Sequence, residues 1–269
     1  MAFSSLLYSV DDGIATITLN NPSKLNPLSQ AIQTEMREAL AQVRSDDSVR
    51  ALTITGAGKA FCVGADLSTM GGTSDDSRSR GNVVADGMHE MTNRIISDLR
   101  ELPVPVLSVV NGPAAGAGVG IALAADVVIA ARSAYFYLPF MAKLGIVPDL
   151  GTTWFLSRFA GRARALGLTL LGDKLPAEQA AAWGLIWSCV DDADLAQHAR
   201  DLARRLADLP AHAALETRAV YDAAQTNDLS AQLAFEAERQ RELLDRDSFL
   251  EGARAFMEKR APVFKARGQ

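Results

Sequence analysis

The chain has 269 residues, 48% of them hydrophobic and 22% charged, enough apolar material to bury a sizeable core. Its net charge of −5 lacks the basic excess needed to neutralise a phosphate backbone, which excludes nucleic-acid binding as its main business. Residues 1–5 show no basic, apolar leader, the most apolar run (104–110) is too short to span a bilayer, and Cys62 and Cys189 form no disulfide framework or metal knuckle, so the expectation is a cytoplasmic protein away from membranes.

In chain order, residues 6–10 and 14–19 are β-rich runs around Asp11-Asp12-Gly13, which predicts a hairpin. Residues 29–43 have helical spacing, with Ile32, Met36, Ala39, Leu40 and Val43 on one face and Ser29 as the N-cap. Residues 51–55 predict a strand ending at Gly56, and the Gly-, Ser- and Asp-rich stretch 71–87 reads as a mobile loop. Helical spacing returns over 88–102 until Pro103. Strands are predicted at 104–110, 127–130 and 134–138, and beyond Leu150 the pattern is almost wholly helical. Alternating strands and helices followed by a helical tail predict an α/β fold.

The stretch Asn111-Gly112-Pro113-Ala114-Ala115-Gly116-Ala117-Gly118-Val119-Gly120 joins a buried strand to a helix start stripped of bulky side chains. Unpaired N–H groups there suit a phosphate or a carbonyl oxygen gaining charge. The glycine spacing departs from the dinucleotide fingerprint, and no acidic residue closes a strand some 20 residues on. A second bare segment, Val63-Gly64-Ala65-Asp66, offers N–H groups of the same kind, although either segment taken alone reads more readily as a close-packed turn or a helix crossing.

Four blocks in order carry a resemblance: Asn20-Asn21-Pro22-Ser23-Lys24-Leu25-Asn26-Pro27-Leu28, residues 60–67, residues 111–118, and Leu144-Gly145-Ile146-Val147-Pro148-Asp149. Together they resemble the crotonase (enoyl-CoA hydratase/isomerase) superfamily from about residue 6 onward. The resemblance implies a spiral of ββα units over 1–200 carrying an acyl-CoA site. It also implies a helical region over 201–269 for trimer or hexamer formation and completion of the CoA site. It places the two oxyanion donors at the backbone N–H groups of Ala65 and Ala117. Lys24, Leu25, Asp66 and Leu67 match the CoA-binding segments, and Phe256 and Lys259 match tail positions that reach a neighbouring subunit's CoA. Coenzyme A is part of the substrate; no separate cofactor or metal is implied.

The family's hydratases carry two glutamates, and this chain has Gly120 and Phe140 at those positions, neither able to pass a proton. Asp149 remains. On the residues alone it is equally an N-cap for a helix over 152–159 or a base whose pKa rises if Phe140, Val147, Leu150 and Trp154 bury it. A single carboxylate suits an isomerase that moves a double bond. Residues 161–172 and 177–187 look like those of ring-1,2-epoxyphenylacetyl-CoA isomerases of phenylacetate breakdown. Other readings stay open: a hydratase with a non-standard site, a dehalogenase in which Asp149 is the nucleophile and His89 the base, and a non-catalytic acyl-CoA- or RNA-binding homologue. For RNA the nearest basic run is Arg200, Arg204 and Arg205, interleaved with Asp201 and Asp208 as on a solvated face. His198 and His212 read as surface helix positions.

Overall fold

The computed structural model describes residues 3–66 and 78–267. Strands β1 (Leu6–Asp11) and β2 (Ile14–Leu19) form the antiparallel hairpin, turned by Asp12 and Gly13 at φ 48° and 76°, whose twist matches that of the flanking strands. The Ser29 hydroxyl accepts the Ile32 N–H at 3.3 Å and starts α1 (Gln30–Ser45), which buries the five apolar residues of its stripe. Strand β3 (Ala51–Gly56) then lies parallel to β2. Next come α2 (Arg80–Gly87), a π-helical turn at Met88–Thr92, α3 (Asn93–Arg100) and β4 (Val106–Val110), buried along its whole length.

Past β4 the chain forms the short β5 (Ala114–Ala115), helix α4 (Ala117–Leu123), β6 (Val127–Ala131) and β7 (Tyr135–Tyr137). Helices α5 (Thr152–Phe159) and α6 (Arg162–Leu171) lead to β8 (Lys174–Pro176), α7 (Ala177–Ala182) and β9 (Ser188–Val190). The main sheet has the order β1-β2-β3-β4-β6-β9, parallel after the first hairpin, and the second sheet has the order β5-β7-β8. Parallel neighbours require crossover connections, and the helices supply them. Isolated bridges pair Leu28 with Ala65 and Cys62 with Ala114, so loops leaving β2, β3 and β4 extend the second sheet over the C-terminal ends of the first.

Two expectations change. Residues 80–87, read as loop, are helical because the Ser79 hydroxyl caps the Asn82 N–H at 3.2 Å; residues 71–77 of that loop lie outside the described residues. The stretch beyond Leu150 contains β8 and β9, three residues each, created by their partners β7 and β6 and too short to show a period of their own.

The tail comprises α8 (Leu195–Ala207), α9 (Ala213–Ala224), α10 (Leu229–Leu244) and α11 (Asp247–Glu258). Arg218 on α9 is buried and anchors the tail. Its guanidinium bonds the Asp126 carboxylate at 2.7 Å and the carbonyls of Arg100, Leu102 and Val104 at 3.0, 2.6 and 3.0 Å. Every donor sent into the interior there meets an acceptor, which a buried guanidinium requires. Among the described residues no helix is long and apolar enough to cross a membrane.

Two asparagines bind the loops at the C-terminal ends of β2, β3 and β4 into one unit. Asn26, fully buried, donates to the carbonyls of Ala57 and Ala60 at 2.9 and 2.8 Å and accepts the Asn21 N–H at 2.8 Å. Asn111 accepts the Gly56 N–H at 3.1 Å and donates to the Gly58 carbonyl at 3.0 Å. Asn26→Ala strands several buried partners and is expected to cost about 2–3 kcal/mol by chemical denaturation; a loss no larger than that of a typical surface substitution would show that these bonds do not hold the loops.

Candidate active site

At the end of β4 the backbone is held on both flanks: the Ala115 N–H donates to the Cys62 carbonyl at 2.8 Å and the Gly116 N–H to the Tyr137 carbonyl at 2.9 Å. Gly116 has φ 53° and ψ −129°, a conformation essentially closed to residues with a Cβ, and it swings the chain into α4 with Ala117 in the first turn. Opposite lies Gly64 at φ 88°; a Cβ there would stand 2.9 Å from the Ala115 carbonyl oxygen, 3.1 Å from the Ala117 nitrogen and 3.3 Å from Gly116 Cα. Two backbones thus touch directly, and Ala65 and Ala117 follow the touching glycines. Among the described residues neither N–H donates to a protein acceptor. Paired, unsatisfied donors on adjoining rigid backbone can hold one oxygen and stabilise charge that develops on it.

Asp149 lies on a loop that packs against the same helix. The segment leaving β7 makes a π-helical turn at Phe140–Leu144, passes Gly145 in the left-handed region and delivers Asp149 ahead of α5. A Cβ on Gly120 would stand 3.0 Å from Leu150 Cβ, so the residue after Asp149 lies against α4. Gly120 is three residues past Ala117, roughly 4.5 Å along the helix axis. The Asp149 Oδ1 atom is sealed from solvent and has no hydrogen-bond partner among the described residues. Burial pushes its carboxyl up from the ordinary value of 3.8 to about 6.

The N-cap reading of Asp149 does not hold. Gly151 at φ 71° caps α5, with no side-chain cap bond, and the Thr152 N–H takes the Asp149 main-chain carbonyl at 2.9 Å. Of the four neighbours expected to bury the carboxylate, Phe140 and Leu150 are buried, while Val147 is 69% exposed. Trp154 is engaged elsewhere, with the Arg158 guanidinium 4.0 Å from its ring.

Lys24, Leu25 and Asp66 are brought beside the donor loop. The Leu28 N–H donates to the Gly64 carbonyl at 2.8 Å, and Lys24 Nζ stands 3.9 Å from Asp66 Oδ2. Leu25 sits at φ 62° and is partly exposed; Leu67 lies outside the described residues. Phe256 and Lys259 close α11, with the Phe256 side chain pointing into solvent. His89 is exposed on the π-helical turn. His198 and His212, expected at the surface, are both half-buried: His198 Nε2 lies 3.5 Å from Ser188 Oγ, and burial lowers the His212 pKa. Arg204 is paired with Asp12 and Asp208, as on a solvated face. Sequence reading passed over Asn26 and Asn111 as functional supports; their one signal is polarity inside otherwise apolar or turn-forming blocks.

The fold and site together define an α/β protein with a backbone donor pair at the C-terminal ends of parallel strands and a desolvated carboxylate on a loop packed against the same helix. A profile described as enoyl-CoA hydratase/isomerase matches residues 9–267. The chain is 43% identical over 262 residues to the 1,2-epoxyphenylacetyl-CoA isomerase of Escherichia coli K12, covering 97% of this chain and 98% of that one. It is 42% identical to a probable enoyl-CoA hydratase of Rhodobacter capsulatus over 99% of this chain and 100% of that one. A crystal structure of a putative enoyl-CoA hydratase/isomerase from Mycobacterium abscessus superposes with a TM-score of 0.89 at 34% identity, covering 97% of this chain and 100% of that one. This protein belongs to the enoyl-CoA hydratase/isomerase family, whose fold is the crotonase spiral.

The carboxyl of Asp149 binds its proton more tightly folded than unfolded, so deprotonation opposes folding. Its effect on stability is absent below about pH 4 and grows as pH rises through about 6. Asp149→Asn removes that penalty and is expected to stabilise the protein at pH 8, on the order of 2 kcal/mol, and to have little effect at pH 4. Thermal melts at the two pH values decide; equal shifts at both would show that the carboxylate is not desolvated.

Proposed function

We propose that the protein is an acyl-CoA isomerase that shifts a double bond, or rearranges an epoxide or oxepin ring, in a CoA thioester. In this reading the N–H groups of Ala65 and Ala117 hold the thioester oxygen, and Asp149 takes a proton from one carbon and returns it at another. The charge left by the departing proton moves onto the thioester oxygen, where the two donors stabilise it. The observation that carries the reading is the sealed, unpartnered Oδ1 of Asp149, on a loop whose next residue, Leu150, packs against Gly120 of the helix that Ala117 begins. A base with its pKa near 6 is both ionised at neutral pH and strong enough to act.

The two glutamate positions of the hydratases hold Gly120 and the buried Phe140, which favours isomerisation over addition of water. The relatives' names divide between isomerase and hydratase, and the site chemistry supports the former. The chemistry needs no metal or redox group beyond the CoA of the substrate. Lys24, Leu25, Asp66 and Leu67 are the proposed CoA contacts on one subunit. Phe256 and Lys259 would add to a neighbour's site in a trimer or a dimer of trimers, a role the solvent-facing Phe256 and Met257 suit. The expected setting is the cytoplasm. The core over 1–200 would then supply the chemistry and the helices over 201–269 the assembly.

Asp149→Asn is expected to abolish isomerisation of a 3-enoyl-CoA and the exchange of its α- and γ-protons in deuterated water, while CoA thioesters still raise the melting temperature. Turnover near the wild-type rate would remove Asp149 from the mechanism, and binding without exchange in the wild type would mark a non-catalytic homologue. Ala117→Pro removes one N–H at a helix-start position that accepts proline. It is expected to lower kcat by roughly 10²–10³-fold, the usual effect of losing one oxyanion donor.

A further inference from the structure

Helix α4 is gripped from two sides through its glycines. A Cβ built on Gly118 would stand 2.9 Å from both Cys62 Cβ and the Cys62 carbonyl carbon, with the carbonyl oxygen closer still. One built on Gly120 would stand 3.0 Å from Leu150 Cβ and 3.1 Å from the Leu150 carbonyl carbon, again with the oxygen nearest. All seven residues of α4 are buried, so the helix has nowhere to recede. The loop facing it is wound tightly: Leu150 is buried at φ 46° and Gly151 follows at φ 71°. It also borders the half-exposed Ile146 and the exposed Val147, which leaves it a way outward. A methyl at position 120 would therefore move the loop, and Asp149 with it.

From this geometry we infer that Gly120 is the positioning residue for Asp149: its missing side chain seats the Leu150 carbonyl against α4 and so fixes the adjacent carboxylate. A side chain at position 120 and Asp149 in its present place exclude each other. The inference rests on the proposed role of Asp149 as the base. It also gives the missing hydratase glutamate a structural meaning. The space at position 120 is filled by the backbone that carries the other carboxylate, so a second acid cannot be restored there without displacing the first.

The test compares Gly120→Ala with Gly118→Ala, which brings equal crowding to the opposite side of α4, against Cys62 and away from Leu150. With a 3-enoyl-CoA, Gly120→Ala is expected to lower kcat by roughly 10²-fold, the scale of an ångström-sized misplacement, with much less effect on KM. The low-pH limb of kcat/KM is expected at about 6 in the wild type and is expected to fall toward the ordinary carboxylate range in Gly120→Ala as Asp149 meets water. Burial alone raises Asp149, with no charged side chain among the described residues contributing, so a displaced carboxylate has no other cause to keep its pKa high. Gly118→Ala is expected to leave the limb where it is, whatever it does to the rate. Wild-type kcat in Gly120→Ala, a reduced kcat with the limb still near 6, or the same limb shift in both variants would overturn the inference. If Gly120→Ala does not fold, the double variant Gly120→Ala/Leu150→Gly removes the Leu150 Cβ that the added methyl would meet while keeping the crowding at the carbonyl; it is expected to lower kcat and shift the limb beyond what Leu150→Gly alone does, and no effect beyond that of Leu150→Gly overturns the inference. An active Asp149→Asn would instead defeat the base assignment. An inactive Asp149→Asn beside a fully active Gly120→Ala would defeat only the role of Gly120.

Discussion

Two polypeptide backbones can lie directly on one another only where no Cβ intervenes, and the short run from Gly116 to Gly120 offers that surface three times. Gly116 receives the Gly64 turn, Gly118 the Cys62 carbonyl and Gly120 the Leu150 carbonyl. The three contacts draw two loops onto one helix: the loop after β3 by the first two and the loop before α5 by the third. The donor pair and the carboxylate owe their mutual placement to these approaches. Because packed interiors are dense, a one-carbon change at such a contact is transmitted as a displacement of a loop.

The contacts would be of little use if the loops were free to breathe, and hydrogen bonds prevent that. Asn26 and Asn111 together tie the ends of β2, β3 and β4 through backbone groups. Neutral amides inside a protein carry no ionic desolvation penalty and satisfy donors and acceptors at once. The Lys24–Asp66 pair, with the lysine 61% exposed, contributes little to holding the same region. Further away, Arg218 and Asp126 fix the tail to the entry of β4 through a fully satisfied buried cluster, so the helices that follow are mounted on the core.

Asp149 illustrates the cost of such a site. An unpartnered carboxylate oxygen away from water disfavours its charged form, which destabilises the fold above pH 6 and at the same time makes the group a stronger base. Leu150 in the left-handed region adds backbone strain at the next residue. Both costs are tolerated because the surrounding core is large.

Much of this architecture is written locally. The Asp-Gly hairpin, the Ser29 cap, the apolar stripe of α1 and the wholly buried β4 follow from residue pattern, since each is decided by neighbours within a turn or a strand. The four blocks that carry the family resemblance are equally visible, and so is the absence of two glutamates. Elements dependent on a distant partner were not: β8 and β9 exist because β7 and β6 stand beside them. The helix after Ser79 is a different case, a local cap hidden in a composition that suggests a loop. The pattern also left undecided which way Val147 and Trp154 face: Val147, in an irregular loop, is exposed, and Trp154, on α5, carries the Arg158 guanidinium on its ring. For Asp149 itself, residue type allowed a helix cap or a base with equal force. The cap at Gly151 removes the helix-cap reading, and the burial of Oδ1 could not be read from the sequence; the loop that carries both rests against Gly120, a contact between residues 30 positions apart that only the tertiary structure could decide.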